Sequence, residues 1–353
     1  MADVVQYLKK AVTVGASDIL IISGMPVSLR NNGEIIPEFE ENIMPDTANE
    51  LVGMLYEMAD RSMDKYLELG DDDFPLSVPG LSRFRVSTYR QRGSAAAVVR
   101  VVRFEIPDPK SIDIPDEVIN ISRKKHGLVL VTGPTGCGKS TTLACIVDAI
   151  NSSRRAHIIT LEDPIEYLHR NKLSAISQRE IGSDTQGYIS AMRACLRQTP
   201  DVIQLGEMRD YETITAAVTS AETGLLILST LHTLGAANTI DRIIDVFPSK
   251  QQNQIRLQLS MTLQTVVSQQ LIPDVDGNLI AAFEIMHLNS AIRNMIRESK
   301  THQIDSVIQS YSSEGMMSMD GSIVNLYNKG RITAETAIKF AMSPEQVERK
   351  IRL

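Results

Sequence analysis

The chain has 353 residues, of which 43% are hydrophobic and 22% charged, with a formal net charge of −7. That length accommodates two ordinary domains, each able to bury its own core, and no apolar run approaches the roughly 18 residues that a membrane-spanning helix needs. A motor that tracks nucleic acid must neutralise phosphates with a basic surface, which the acidic balance does not advertise. Several arginines fall between Arg83 and Arg103, but no aromatic residues interleave with them at an RNA-motif spacing. Cys137, Cys145 and Cys195 are odd in number and not closely paired, so reduced, buried thiols are expected rather than a zinc site or a disulfide framework. The N-terminus carries Asp3 and lacks the basic-then-apolar layout of a signal peptide, so a cytoplasmic location is the expectation.

Along the chain, Val4, Val5, Leu8 and Val12 recur at helical spacing, and Asp18 to Ile22 reads as a short strand. Val27 to Arg30 and Glu34 to Ile36 flank Asn31-Asn32-Gly33, a hairpin signal because Asn-Gly tolerates the positive φ angles of a tight turn. Asp46 to Glu57 and Asp60 to Leu69 read as helices, and Ser82 to Ser87 and Ala96 to Val102 as strands joined by a polar turn. Prolines at 107, 109 and 115 block a continuous helix or central strand and mark an exposed connector. From Gly127 onward, buried apolar strands at Leu128 to Val131, Ile158 to Leu161, Val202 to Leu205 and Leu225 to Leu228 alternate with helical stretches, the pattern of a parallel α/β sheet. After about residue 250 strand patterns thin out, and Ser290 to Ser299, Gln303 to Gln309, Val324 to Asn328 and Ala334 to Ala341 read helical, so the chain is expected to end as a helical subdomain.

Gly133-Pro134-Thr135-Gly136-Cys137-Gly138-Lys139-Ser140 fits the phosphate-loop pattern G-x-x-x-x-G-K-[ST], directly after a strand and before the helical run from Thr141 to Ile150. The glycines let backbone N–H groups close on a β-phosphate and the helix N-terminus adds partial positive charge. Lys139 then bridges phosphate oxygens and Ser140 ligates Mg²⁺. Cys137 fills a variable position, where a tolerated small residue is the plainer reading than a redox switch. The strand His157 to Glu162 runs into Asp163-Pro164-Ile165-Glu166, placing carboxylates at the strand ends where open α/β sheets bind ligands. Such an acid can orient the attacking water of a phosphoryl transfer; taken alone, the segment also reads as a solvated acidic loop. Val202 to Leu205 leads into Gly206-Glu207-Met208-Arg209-Asp210, a Walker B-like strand with Glu207 in place of the usual aspartate; its extra methylene suits holding Mg²⁺ through a water. A fourth strand delivers Leu231-His232-Thr233, and although a lone histidine after a buried strand is usually structural, this one emerges at the same sheet edge.

These four ordered motifs, with Ala221-Glu222-Thr223-Gly224 and Ile240 to Pro248, resemble the Walker A, Asp-box, atypical Walker B and His-box of the secretion ATPase superfamily across most of residues 15 to 340. Ala291-Ile292-Arg293-Asn294-Met295-Ile296-Arg297-Glu298 is similar to a helix typical of pilus retraction ATPases of the PilT type, and the four-cysteine motif and long extra N-terminal domain usual in assembly ATPases are missing. The resemblance implies a PAS-like N-terminal α/β domain over 1–106, a linker over 107–115, and a RecA-like P-loop ATPase domain with C-terminal helices over 116–353. It implies a cytoplasmic homohexamer at the inner face of the membrane that couples Mg-ATP hydrolysis to pilus retraction. Its partners would be an inner-membrane platform protein and an accessory retraction ATPase, with neither nucleic acid nor membrane insertion. By the same resemblance Gly133 to Thr141 bind the nucleotide, Glu166 is the catalytic carboxylate, Glu207 and Ser140 serve the metal, and His232 senses the γ-phosphate. Arg92 and Arg100, with Arg83 and Arg85, are candidates to reach a neighbour's nucleotide, the alternative for each being an exposed or ion-paired strand arginine. The sequence departs from the family where Leu225 follows Gly224 in place of the first His-box histidine, and where Val267-Ser268-Gln269-Gln270-Leu271 stands for the Gln-x-Leu ending. An accessory retraction paralogue and a nucleic-acid translocase on the same core are the rival functions.

Overall fold

The computed structural model describes residues 4–31, 33–102 and 105–352. They divide into one unit of Met1–Glu105 with Glu166–Leu168 and another of Ile106–Ile165 with His169–Leu353.

In the first unit, β1 (Asp18–Ile21), β2 (Pro26–Asn31), β3 (Glu34–Asn42), β4 (Asp71–Val78), β5 (Ser82–Gln91) and β6 (Ser94–Val101) form one antiparallel sheet in the order β3-β2-β1-β6-β5-β4. Valine and phenylalanine alternate with serine and arginine along β5, so Phe84 and Val86 are buried while Arg83 and Arg85 are only half-buried. The helices Val4–Val14 and Pro45–Met58 cover this sheet, burying Leu8, Leu51, Leu55 and Tyr56 at helical spacing. In the β2–β3 hairpin Gly33 has the expected positive φ of +85°, while Asn32 lies outside the described residues. Sequence reading missed β4, whose run Asp71-Asp72-Asp73-Phe74-Pro75 looks like a loop. The strand forms because it is a sheet edge, where proline is tolerated. The buried Asp72 carboxylate is also met by Arg61 Nε at 2.9 Å and Lys65 Nζ at 2.7 Å.

The second unit holds β7 (Gly127–Thr132), β8 (His157–Glu162), β9 (Ala175–Glu180), β10 (Val202–Leu205), β11 (Leu226–Leu231), β12 (Leu263–Pro273) and β13 (Leu279–His287) in the order β13-β12-β7-β11-β10-β8-β9. All neighbours are parallel except β13, which runs antiparallel to β12. Successive residues of β7 feed two cores: Leu128 and Leu130 pack with Ile203, Ile227 and Ile240, and Val129 and Val131 with Leu143, Ile146 and Val147. Both faces are therefore covered, which is why these strands read as unbroken apolar runs.

The expectation that strand character fades after residue 250 needs correction. The sheet continues through β12 and β13 to His287, and only then do the helices Ser290–Arg297, Ile304–Ser310, Met319–Asn328, Ala334–Phe340 and Pro344–Ile351 follow. β12 escaped notice because Thr265, Ser268, Gln269 and Gln270, all buried, interrupt its apolar character. Among the described residues no helix is long and apolar enough to cross a membrane.

Candidate active site

Strand β7 is buried along its whole length and delivers Gly133 at its C-terminal end, next to the end of β11, whose Leu231 carbonyl accepts the Gly133 N–H at 3.3 Å. Gly133 has φ +142°, and a Cβ there would stand 2.1 Å from the Gln269 carbonyl oxygen of β12, so no side chain fits. The loop then turns through Gly136 and Gly138, at φ +79° and +89°, into the helix Lys139–Ser153. Lys139 is buried, and its ammonium donates to the carbonyls of Gly133 and Pro134, both at 2.9 Å. A cation held over a ring of backbone N–H groups at a helix N-terminus is an anion site by construction. Ser140 and Thr141 lie half-buried on the first helical turn, and burial pushes the Cys137 thiol up despite the nearby Lys139 charge. That thiol is accordingly kept protonated, which suits a packing residue.

His232 joins the motifs. It follows β11 and bridges two of them, with Nε2 3.0 Å from Glu207 Oε2 and Nδ1 3.3 Å from the Thr135 hydroxyl of the phosphate loop. A carboxylate can only accept, so Nε2 carries a proton, and in the neutral ring the Thr135 hydroxyl donates to Nδ1. Glu207 is also ion-paired with Arg209 two residues on. The chain Thr135, His232, Glu207, Arg209 exists because β11 and β10 are sheet neighbours whose C-terminal ends lie side by side. Beyond His232 the loop is pinned by Gly235 N–H to Ser268 Oγ at 2.8 Å and by Ala236 N–H to the buried carboxylate of Glu284 at 2.6 Å.

The acids after β8 part company. Glu162 is buried, accepting from Thr160 Oγ1 at 2.6 Å and Gln178 Nε2 at 3.2 Å. Four residues on, the Glu166 side chain is exposed and makes no hydrogen bond or ion pair among the described residues. The Ile165 N–H beside it is held by Glu180 Oε2 of β9 at 3.2 Å, which fixes where this segment leaves the sheet. In the first unit, Arg92 is exposed in the two-residue turn between β5 and β6, with φ +49°, a region that non-glycine residues rarely occupy. Arg100 on β6 is ion-paired with Asp18 at 2.9 Å. The hydrogen-bonded chain thus gathers Thr135, Glu207 and His232 beside the phosphate loop, and Glu166, Arg92 and Arg100 are not members of it.

Three neighbours of the site had no role in the sequence reading, two of them although their motifs were quoted. Gln269 on β12 reaches the phosphate loop and the helix behind it, donating from Nε2 to the Cys137 carbonyl at 2.6 Å and accepting the Thr142 hydroxyl at 2.8 Å. Tyr188 places its hydroxyl against Gly206, and burial together with Asp163, Glu207 and Glu162 pushes its phenol up, so it remains a donor next to carboxylates. Arg209 was quoted within its motif without a role. Beside the loop opens a cavity of about 430 Å³ lined by Thr141, Thr142, Ile112, Ile114, Phe283 and Arg331, among others. Its apolar walls with a few polar groups are suited to a flat aromatic group continuing from the loop.

A model of the family described as Type II/IV secretion system protein matches residues 2–304. The type IV pilus retractation ATPase PilT of Pseudomonas aeruginosa is 42% identical over 344 residues, covering 97% of this chain and 99% of that protein. The type IV pilus ATPase PilU of the same organism is 36% identical over 350 residues, 99% of this chain and 91% of that one. The crystal structure of the pilus retraction motor PilT with bound ADP is similar at a TM-score of 0.90 and 43% identity, over 99% of this chain and 100% of that chain.

Proposed function

Because this chain belongs to the Type II/IV secretion system protein family, we propose that it is a type IV pilus retraction motor, a homohexamer that hydrolyses Mg-ATP to draw on a platform protein at the inner face of the membrane. The observation that carries the reading is the His232 bridge, one imidazole touching both Thr135 of the phosphate loop and Glu207 of the neighbouring strand. A group so placed registers whether the phosphate end of the site is filled and passes the result to the acid beside it. The similarity to PilT, 42% against 36% for PilU, supports the principal motor over the accessory one.

In this reading residues 133–141 hold the phosphates, and Lys139 exchanges its contacts with the Gly133 and Pro134 carbonyls for phosphate oxygens. The cavity beside Thr141 takes the base. The Ser140 hydroxyl and the Glu207 carboxylate are hard oxygen donors that fit Mg²⁺, the serine directly and the glutamate through water. Bound there, the ion would neutralise charge on the phosphate oxygens. Glu166, solvent-facing after β8, orients the attacking water, and Arg92 and Arg100 reach the site of a neighbouring subunit. Residues 1–106 serve as the N-terminal domain, 107–115 as the linker and 116–353 as the ATPase domain.

ATP turnover and light scattering on the purified chain, beside Lys139→Ala and Glu166→Ala, test this. Mg-dependent turnover by a hexamer, lost in both variants without loss of the ring, is expected. Turnover that survives Glu166→Ala would move the water-orienting role to another residue, and a monomer without turnover would refute the motor.

A further inference from the structure

Strand β12 carries three consecutive polar side chains, Ser268, Gln269 and Gln270, only 0%, 2% and 8% exposed. Neighbouring side chains on a strand face opposite sides of the sheet. Ser268 accepts the Gly235 N–H at 2.8 Å and Gln270 Nε2 donates to the Phe340 carbonyl at 3.0 Å, both on the side of the C-terminal helices. Gln269 faces the other way, into the phosphate loop, with Nε2 on the Cys137 carbonyl at 2.6 Å and Oε1 on the Thr142 hydroxyl at 2.8 Å. The orientation of its amide is fixed at the Cys137 end, because a carbonyl can only accept and the NH₂ must face it.

This grip has a directional consequence. In a trans peptide the C=O and N–H point in opposite directions. Anchoring the Cys137 carbonyl on β12 therefore turns the N–H of Gly138 away from β12. The Thr142 hydroxyl, one turn into the helix Lys139–Ser153, steadies the same amide, so loop and helix start are set by one side chain. Cys137 and Thr142 are both buried, so water does not replace the amide cheaply.

We propose that Gln269 is the positioning residue of the phosphate loop: by holding the Cys137 carbonyl it presents the Gly138 N–H to a phosphate oxygen of the bound nucleotide. The proposal rests on the nucleotide reading given above. It assigns Gln269 to ground-state binding, since an N–H that meets the phosphate before and during the reaction changes affinity more than rate.

Gln269→Met keeps the length of the side chain and removes both of its hydrogen bonds to the loop and helix, and Gln270→Met makes the same substitution one residue along the strand, removing the bond to the Phe340 carbonyl without touching the loop. For each full-length variant the dissociation constant of ADP, the kcat and KM for Mg-ATP and the melting temperature are measured beside wild type. Gln269→Met should raise the ADP dissociation constant and KM about 10-fold, with kcat within about two-fold. Gln269→Glu, which keeps the acceptor for Thr142 but sets an anion against the Cys137 carbonyl, should weaken ADP at least as much. Gln270→Met should leave both constants at the wild-type value whatever its melting temperature. Should Gln269→Met fail to fold, Thr142→Val decides, with weaker ADP binding expected and unchanged binding contrary. Wild-type affinity in Gln269→Met, or equal losses in the two methionine variants, overturns the proposal and leaves Gln269 a stabilising residue only. A wild-type chain that does not bind ADP overturns the nucleotide reading itself and this proposal with it.

Discussion

Two glycines of the phosphate loop should respond to the same substitution in different ways. At Gly133 the backbone has φ +142° and an added Cβ would lie 2.1 Å from the Gln269 carbonyl oxygen and 2.8 Å from Cys137 Sγ. Ordinary carbon-to-oxygen contacts begin at about 3.3 Å, so more than about 1 Å must be found. β12 cannot give it freely, because it is paired on one side with β7 and on the other with β13. The backbone conformation costs a side-chain-bearing residue about 1–3 kcal/mol, and forcing atoms into a packed position costs a similar amount. Gly133→Ala should therefore destabilise the second unit by about 2–6 kcal/mol. At Gly136, φ is +79° and nothing lies within 4 Å of the added atom, which leaves only the left-handed penalty of about 1 kcal/mol. Thermal unfolding without added nucleotide, followed by fluorescence, separates the two. Gly133→Ala should melt about 10 °C below wild type and Gly136→Ala within about 4 °C. Equal shifts, or a Gly133→Ala chain that melts with wild type, would refute the argument that β12 closes the loop from behind.

Removing the bridging imidazole with His232→Ala should lower ATP turnover at least ~100-fold, the scale of losing one preorganised hydrogen-bonding group that stabilises developing charge, while ADP affinity changes less than about three-fold; a turnover loss below about five-fold in a steady-state assay would contradict the sensor role. Burial lowers the pKa of His169 from 6.5 to about 4, so above pH 6.5 it is neutral in both the folded and the unfolded chain. Between those two values the unfolded chain binds the proton more readily, so stability is complete above pH 6.5 and falls as the pH drops toward 4. With allowance for partial exposure the loss is about 2 kcal/mol; His169→Phe should flatten that part of the melting-temperature profile, and an unchanged profile would refute the assignment.

What could be read from the sequence was what depends on neighbours along the chain. The phosphate loop is legible because its glycines and Lys139 close on one another within eight residues. Glu207 and His232 are legible as polar residues at the ends of buried strands, but that they meet depends on β10 and β11 being adjacent, an order that no local pattern encodes. Gln269 was out of reach for the same reason, since its partners Cys137 and Thr142 lie 132 and 127 residues away. A glutamine within a polar run reads as surface unless the loop it serves is already placed. Arg100 shows the same limit from the other side: the sequence offered it either as an arginine reaching a neighbouring subunit or as an ion-paired strand arginine, and the Asp18 that pairs with it lies 82 residues earlier. The charged run of β4 is a strand because it lies at the sheet edge, and its buried Asp72 is met by Arg61 and Lys65 only 11 and 7 residues earlier; the edge position is what the local pattern does not encode.

Leu225 occupies the place of the first His-box histidine. Leu225 stands just before β11, where its carbonyl accepts the Gly127 N–H at 2.9 Å, and Gly127 opens β7. That is the N-terminal edge of the sheet. His232 stands just past the other end of the same strand, seven residues on, and at about 3.3 Å per residue the two positions are about 20 Å apart. No side chain at 225 can touch a group that His232, Glu207 or Lys139 touches. Leu225 instead packs, half-buried, against the core that includes Ile227 and Ile240. Its substitution for histidine therefore changes what the far edge of the sheet presents and leaves the phosphate edge as it is. In this chain β11 carries His232 to Glu207 without a histidine at 225.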